Sequence, residues 1–309
     1  MIKHAATLTG ALALSLVSSA AFAQAQCTEV SFSDVGWTDI TTTTSATKHV
    51  LEALGYEVDV KVLSVPVTFA SLESDDIDVF LGNWMPAQSA AIGPYLESGE
   101  VETVATNLEG TKYTLAVPAY TYEKGLQSYA DIADFRDELD ETIYGIEPGN
   151  EGNAYLVSLI EENAHGLEGF EVVESSEQGM LAQVSRAYDD QEDVVFLGWE
   201  PHPMNANFDL RYLPGGEDFF GGEGTVHTVT RAGFVDECPN VGQLLANLSF
   251  TLEMENEIMG KILDEGMDAD DATLEWMQAN SDLPLSWLDG VTTVDGGDAT
   301  AAVTEALGL

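Results

Sequence analysis

Two stretches of this 309-residue chain carry the same local message. Ile77-Asp78-Val79-Phe80-Leu81-Gly82-Asn83-Trp84-Met85-Pro86 and Asp193-Val194-Val195-Phe196-Leu197-Gly198-Trp199-Glu200-Pro201 each run from β-branched and aromatic residues into Gly, then Trp, then Pro. The pattern reads as a buried strand that stops at Gly and leaves its Trp in the loop beyond. In open α/β sheets ligands sit beyond the carboxyl ends of strands. Two such ends, far apart in the chain, therefore predict two lobes that face one pocket.

The rest of the chain alternates strand and helix signals. Val30–Ser33, Val58–Leu63, Val79–Leu81, Tyr113–Val117, Ile143–Ile146 and the Val194 segment read as strands. Ile40–Leu54 reads as a helix closed by Gly55, and a second helix is expected around Phe69–Glu73. The turn cluster Glu147-Pro148-Gly149-Asn150-Glu151-Gly152-Asn153 opens a helix to about Asn163. Ser175-Ser176-Glu177-Gln178 reads as a capping box for a helix reaching Tyr188. Beyond Gly215 helices dominate, Val241–Leu263 and Asp271–Ala279. This order predicts an α/β fold with mixed sheets. Residues 26–111 and 208–309 are expected to form a discontinuous first lobe, and 112–207 the second.

Lys3 and His4, the apolar run Ala11–Val17 and the small residues around Ala23 have the three-part layout of a secretory signal peptide, which assigns residues 1–25 to export. The apolar run is short for a membrane span. Lipidation of Cys27 is disfavoured by Gln26 in front of it. In an exported chain the even pair Cys27 and Cys238 favours one disulfide, with two buried thiols as the alternative.

Asp and Glu total 54 against 10 Lys and Arg, a formal net charge of −44. That balance excludes nucleic acid as a partner, because no basic face exists to neutralise phosphates. The acids are scattered through loops and helix faces, which reads as adaptation to salty surroundings and makes long-range steering weak at high salt. Hydrolase, P-loop and zinc-protease signatures are missing, and Gly221-Gly222-Glu223-Gly224 lacks the third glycine of a dinucleotide fingerprint. Asp268, Asp270 and Asp271 lack the glycine of a calcium loop. No enzyme activity, cofactor or metal is therefore expected. The alternative class is a secreted hydrolase with His202 as its base.

Trp37, Trp84 and Trp199 each fall near Gly at an expected strand end, with Tyr113 near the crossover, whereas Trp276 and Trp287 belong to the packing of the helical tail. Converging indoles make a cage whose negative ring faces favour a large, cheaply desolvated cation such as a quaternary ammonium. Each face contributes roughly 0.5–2 kcal/mol, so a four-walled cage supplies about 2–8 of the roughly 8 kcal/mol that micromolar binding requires. Lysine-like ammonium is disfavoured, because its N–H donors would lack partners.

Val35-Gly36-Trp37-Thr38-Asp39, Gly82-Asn83-Trp84-Met85-Pro86, Ile146-Glu147-Pro148-Gly149-Asn150 and Gly198-Trp199-Glu200-Pro201-His202-Pro203-Met204-Asn205 resemble the substrate-binding proteins of ABC importers for quaternary ammonium compounds. The resemblance runs from about Val30 to the C-terminus and is nearest to the choline-binding members. It implies a two-lobed type II periplasmic-binding-protein fold, a periplasmic monomer and a partner ABC permease in the cytoplasmic membrane. It also implies an ammonium held by Trp37, Trp84, Tyr113 and Trp199, with polar contacts from Asp39 and from Asn150 or its neighbour Asn153. From the residues alone, Asp39 reads either as the cap of the helix at Ile40 or as a partner for a cationic alcohol. A carboxylate there favours choline over glycine betaine, whose own carboxylate it repels. Glycine betaine and trimethylamine N-oxide are the rival ligands. Asn150 has the same double reading, helix cap or cleft contact.

Overall fold

The computed structural model describes residues 27–309, so the expected signal segment lies outside the described residues. The strands are β1 (Glu29–Asp34), β2 (Glu57–Val62), β3 (Val79–Met85), β4 (Val101–Pro118), β5 (Thr142–Tyr144), β6 (Glu171–Val173), β7 (Phe196–Glu200), β8 (Leu210–Tyr212) and β9 (Gly224–Arg231). The principal helices are α1 (Thr38–Ala53), α2 (Val65–Glu73), α3 (Ser89–Ser98), α4 (Glu151–Glu161), α5 (Glu177–Asp190), α6 (Pro239–Asn247), α7 (Leu252–Leu263), α8 (Ala269–Ala279) and α9 (Ala299–Leu307).

The strands join in the order β2-β1-β3-β9-β4-β7-β5-β6, with β8 on the side of β4. On one side β1 runs parallel to β2 and β3, and β9 is antiparallel to β3. On the other, β5 runs parallel to β6 and β7, and β7 is antiparallel to β4. Each half is thus a small parallel α/β unit closed by an antiparallel strand, and the whole is a mixed, two-lobed α/β fold. The long strand β4 belongs to both halves. Val101–Thr111 pairs with β9, and Lys112–Ala116 pairs with β7. Ala116–Pro118 pairs with β8, so the second half keeps the chain as far as Tyr212. The expected divisions at 111 and 208 fall inside β4 and just ahead of β8.

Both repeated segments form strands, but neither strand stops at its glycine. β3 and β7 continue through Trp84 and Trp199, which therefore lie on strands and not in the loops expected for them. Gly198 is retained inside β7 because a Cβ there would come within 2.9 Å of the Ala116 Cβ on the neighbouring strand. The apolar faces of the first half meet in a core containing Phe32, Phe69 and Phe80, with the Phe69 and Phe80 rings edge to face at 6.0 Å. Burying each such side chain contributes about 1.5–3 kcal/mol.

Three other expectations are corrected. The single helix over Val241–Leu263 is broken into α6 and α7: Phe250 N–H donates to the Asn107 carbonyl of β4 at 2.7 Å, and Thr251 then caps α7 by accepting from Met254 N–H. Strand β9 lies in the middle of the sheet, in a region read as helical. At the start of α5 the cap is Ser176, which accepts from Gly179 N–H at 3.1 Å, so the expected box of Ser175 with Gln178 is not formed. Trp276 and Trp287 are buried in the helical tail, and their indoles donate to Glu257 at 2.6 Å and to the Ser249 carbonyl at 3.2 Å. Cys27 and Cys238 are joined in a disulfide that ties the start of β1 to the start of α6. Closing a loop that long is worth about 2–5 kcal/mol.

Candidate ligand-binding site

The carboxyl ends of β1, β3, β5 and β7 bring the indicated residues to one place. Beyond β1, the Asp34 carboxylate accepts from Gly36 N–H and from the Thr41 hydroxyl, both at 2.7 Å. This turn sets Trp37 at the N-cap of α1 and Asp39 in its first turn. From β3, the Trp84 indole N–H donates to Asp39 Oδ2 at 3.0 Å. Tyr113 sits where β4 passes from one half to the other, directly opposite Trp199 in the register with β7. The Tyr113 ring lies 6.3 Å from Trp84 and 6.4 Å from Trp199, steeply inclined to both. Its hydroxyl donates to Asn150 Oδ1 at 2.9 Å. That bond requires glycine at 152, since a Cβ there would lie 2.2 Å from the Tyr113 hydroxyl.

Trp37, Asp39, Trp84, Tyr113, Asn150 and Trp199 all line one cavity of about 370 Å³, together with Ala87, Gln88, Ile146 and Glu151. Asp39 does not cap α1. The helix starts at Thr38, Asp39 Oδ2 is taken by Trp84, and Oδ1 finds no hydrogen-bond donor among the described residues. Asn150 caps α4 by accepting from Gly152 N–H at 2.8 Å, and it lines the cavity. Asn153 does not reach the cavity; its amide bonds Ile146 N–H and the Ile146 and Glu147 carbonyls, bracing the loop from behind.

Four lining residues were not anticipated from sequence. Glu151 belongs to the same turn cluster as Asn150, Ile146 immediately precedes that cluster, and Ala87 and Gln88 follow the first repeat, so each had a neighbour already singled out. Gln88 Oε1 accepts from Asn83, while its amide nitrogen finds no acceptor among the described residues.

The electrostatics of the cavity are one-sided. Helix N-termini carry partial positive charge, yet α1 and α4 both arrive with carboxyl groups in their first turns, Asp39 and Glu151. Among the described residues lining the cavity, none is basic. Burial, and then the charge of Glu177, pushes Asp39 up to about 8. Burial raises Glu151 to about 7 and lifts Glu147 as well. Behind Asp39, burial followed by the Asp39 charge holds Glu255 of α7 well above the ordinary carboxylate range. An enclosed set of acids with no cation nearby is a poor host for an anion and a good one for a positively charged guest.

The histidine considered as a hydrolytic base is engaged elsewhere. His202 is buried, its Nδ1 accepts from Met204 N–H at 3.0 Å, and its Nε2 faces Glu177 Oε1 at 3.2 Å. Asp268 caps α8, and Asp270 is occupied by Ser45 and Lys48.

A two-lobed α/β body with an aromatic, acid-lined cavity between its halves defines a solute-binding protein of the kind that serves a membrane importer. The chain belongs to the family described as the substrate-binding domain of ABC-type glycine betaine transport systems, whose family model matches residues 28–279. A solved ABC-transporter choline-binding protein in complex with choline is 60% identical, with a TM-score of 0.89 over 92% of this chain and 99% of that one. An ABC-transporter choline-binding protein in an unliganded semi-closed conformation is also 60% identical, with a TM-score of 0.85 over 92% of this chain and 100% of that one. The glycine betaine/carnitine transport binding protein GbuC of Listeria monocytogenes is 30% identical over 186 residues, 60% of each chain.

Proposed function

We propose that this protein captures choline in the periplasm and delivers it to an ABC permease in the cytoplasmic membrane. The observation that carries the reading is the cavity wall, in which Trp37, Trp84, Tyr113 and Trp199 meet Asp39 and Glu151 and no basic side chain among the described residues. The aromatic faces receive the trimethylammonium group, and burial of its methyl groups adds to the cation–π attraction. The Asp39 oxygen that has no donor within the described chain accepts the choline hydroxyl. Asn150 holds Tyr113 in place and stands at the polar end. Glycine betaine would set a carboxylate against Asp39 and Glu151, a like-charge contact whenever either acid is ionised, whereas the cationic choline favours their ionised forms. The 60% identical choline complex supports the same assignment.

The test is a calorimetric titration of choline, glycine betaine and trimethylamine N-oxide at matched salt, on the parent protein and on Asp39→Asn. The parent is expected to prefer choline over betaine, and Asp39→Asn to bind choline at least about tenfold more weakly, in line with losing a charged hydrogen bond. Its preference over betaine should narrow. An unchanged preference would remove Asp39 from ligand selection. Hydrolysis of a choline ester by the purified protein would favour the enzyme reading, which the engagement of both His202 nitrogens speaks against.

A further inference from the structure

Glu177 is the first residue of α5, whose own cap is supplied by Ser176, so its carboxylate is not needed by its own helix. It is used across the cleft. Oε2 accepts from Thr38 N–H at 2.8 Å and Oε1 accepts from the Thr38 hydroxyl at 2.6 Å, although the two residues are 139 positions apart and belong to opposite halves of the sheet. Helix α1 has Trp37 at its N-cap, with no side-chain cap of its own. Glu177 thus provides from the second lobe what a capping side chain and a carboxylate at the helix dipole would provide locally.

The third partner fixes the arrangement. Met204 N–H occupies His202 Nδ1, so in the neutral imidazole the remaining hydrogen is on Nε2 and is donated to Glu177 Oε1 at 3.2 Å. Glu177, Thr38 and His202 are all buried, with 2%, 4% and 2% exposure. The residues on either side of Thr38 are Trp37 and Asp39, and the His202 ring lies 5.0 Å from Trp199. One carboxylate therefore links the cavity residues of the first lobe to those of the second. The two Thr38 bonds can exist only while the lobes are closed, so they favour the closed state alone.

We propose that Glu177 is an interlobe latch, a positioning residue that holds the lobes shut over the occupied cavity and sets how long the ligand stays. It does not line the cavity and acts on it through Thr38, His202 and the charge it sets near Asp39. The proposal rests on the reading of the cavity as the choline site.

The experiment measures choline association and dissociation by stopped-flow tryptophan fluorescence in the full exported chain. The proteins are the parent, Glu177→Gln, Glu177→Ala and Thr38→Val, the last losing one hydroxyl bond while keeping the backbone one. Dissociation should accelerate about tenfold or more in both Glu177 variants and about fivefold in Thr38→Val, as expected for a charged set and a single hydrogen bond. Association should stay within about threefold, since affinity changes at one interface fall mainly in dissociation. Small-angle scattering at saturating choline should show the Glu177 variants more extended than the parent. Choline binding by the parent with dissociation unchanged in Thr38→Val and in every folded Glu177 variant overturns the latch and leaves the cavity reading standing. A parent that fails to bind choline overturns both.

Discussion

Alanine in place of Trp199 is expected to weaken choline binding by about thirty- to a hundredfold while the protein stays folded. The ring is 5% exposed, lies across from Tyr113 at 6.4 Å, and lines the cavity from β7. Removing it forfeits one cation–π face and the packing of the methyl groups, together about 2–3 kcal/mol. The control is Trp276→Phe, in the helical tail, where the indole donates to Glu257 and takes no part in the cavity. That variant should lose stability and keep its choline affinity within about twofold, the usual independence of distant sites. Calorimetry with a parallel thermal melt separates the two effects. A folded Trp199→Ala variant that binds choline as tightly as the parent would contradict the cage.

Choline affinity should fall as the solution is acidified below pH 8. In the unliganded protein Asp39 is pushed up to about 8, first by burial and then by Glu177, so below that pH it is largely protonated and neutral. A cation in the cavity favours the ionised form, and binding must then release the proton. The sign follows from linkage: the free protein holds the proton more tightly than the complex, so lowering pH favours the free protein. With a single controlling group near 8, the apparent affinity drops about fiftyfold between pH 8 and pH 6, close to the tenfold-per-unit limit. Glu151, raised to about 7 by burial, acts in the same direction. Glu147 and Glu255, which burial also raises, surround the same region and keep the acids from ionising together. Titrations in two buffers of different ionisation enthalpy should register uptake of a released proton near pH 7, and Asp39→Asn should flatten most of the profile. Constant affinity in the parent from pH 6 to pH 8 would refute the assignment.

Much of this was legible in the sequence because the relevant signals are local. The repeated strand-Gly-Trp segments fixed two cavity walls, and the turn at Asp34–Asp39 and the Pro148-Gly149-Asn150 cluster fixed the loops that carry Trp37 and Asn150. What was missed depends on distant contacts. Gly82 and Gly198 read as strand ends, but Ile40 of α1 and the Phe80 ring crowd position 82, and Ala116 of β4 crowds position 198, so glycine fits inside β3 and β7. β9 is central, and its Thr- and Val-rich run is a strand signal that the helical reading of the region beyond Gly215 passed over; β3 and β4 pair with it on either side. The break between α6 and α7 is made by Asn107 of β4, which no helical periodicity encodes. Glu177 looked like part of a capping box, whereas its partner is Thr38 on the facing lobe. Asp39 resembled a helix cap from spacing alone, whereas its carboxylate accepts from the Trp84 indole, 45 residues away.

The central claim is that aromatic rings from both lobes enclose a methylated ammonium. It is tested most directly by a crystal structure of the protein grown with choline. The trimethylammonium nitrogen should lie within about 6 Å of the ring centroids of Trp37, Trp84, Tyr113 and Trp199, with the hydroxyl on Asp39. Choline bound elsewhere, or seated in the cavity with its nitrogen turned away from those rings, would contradict the account.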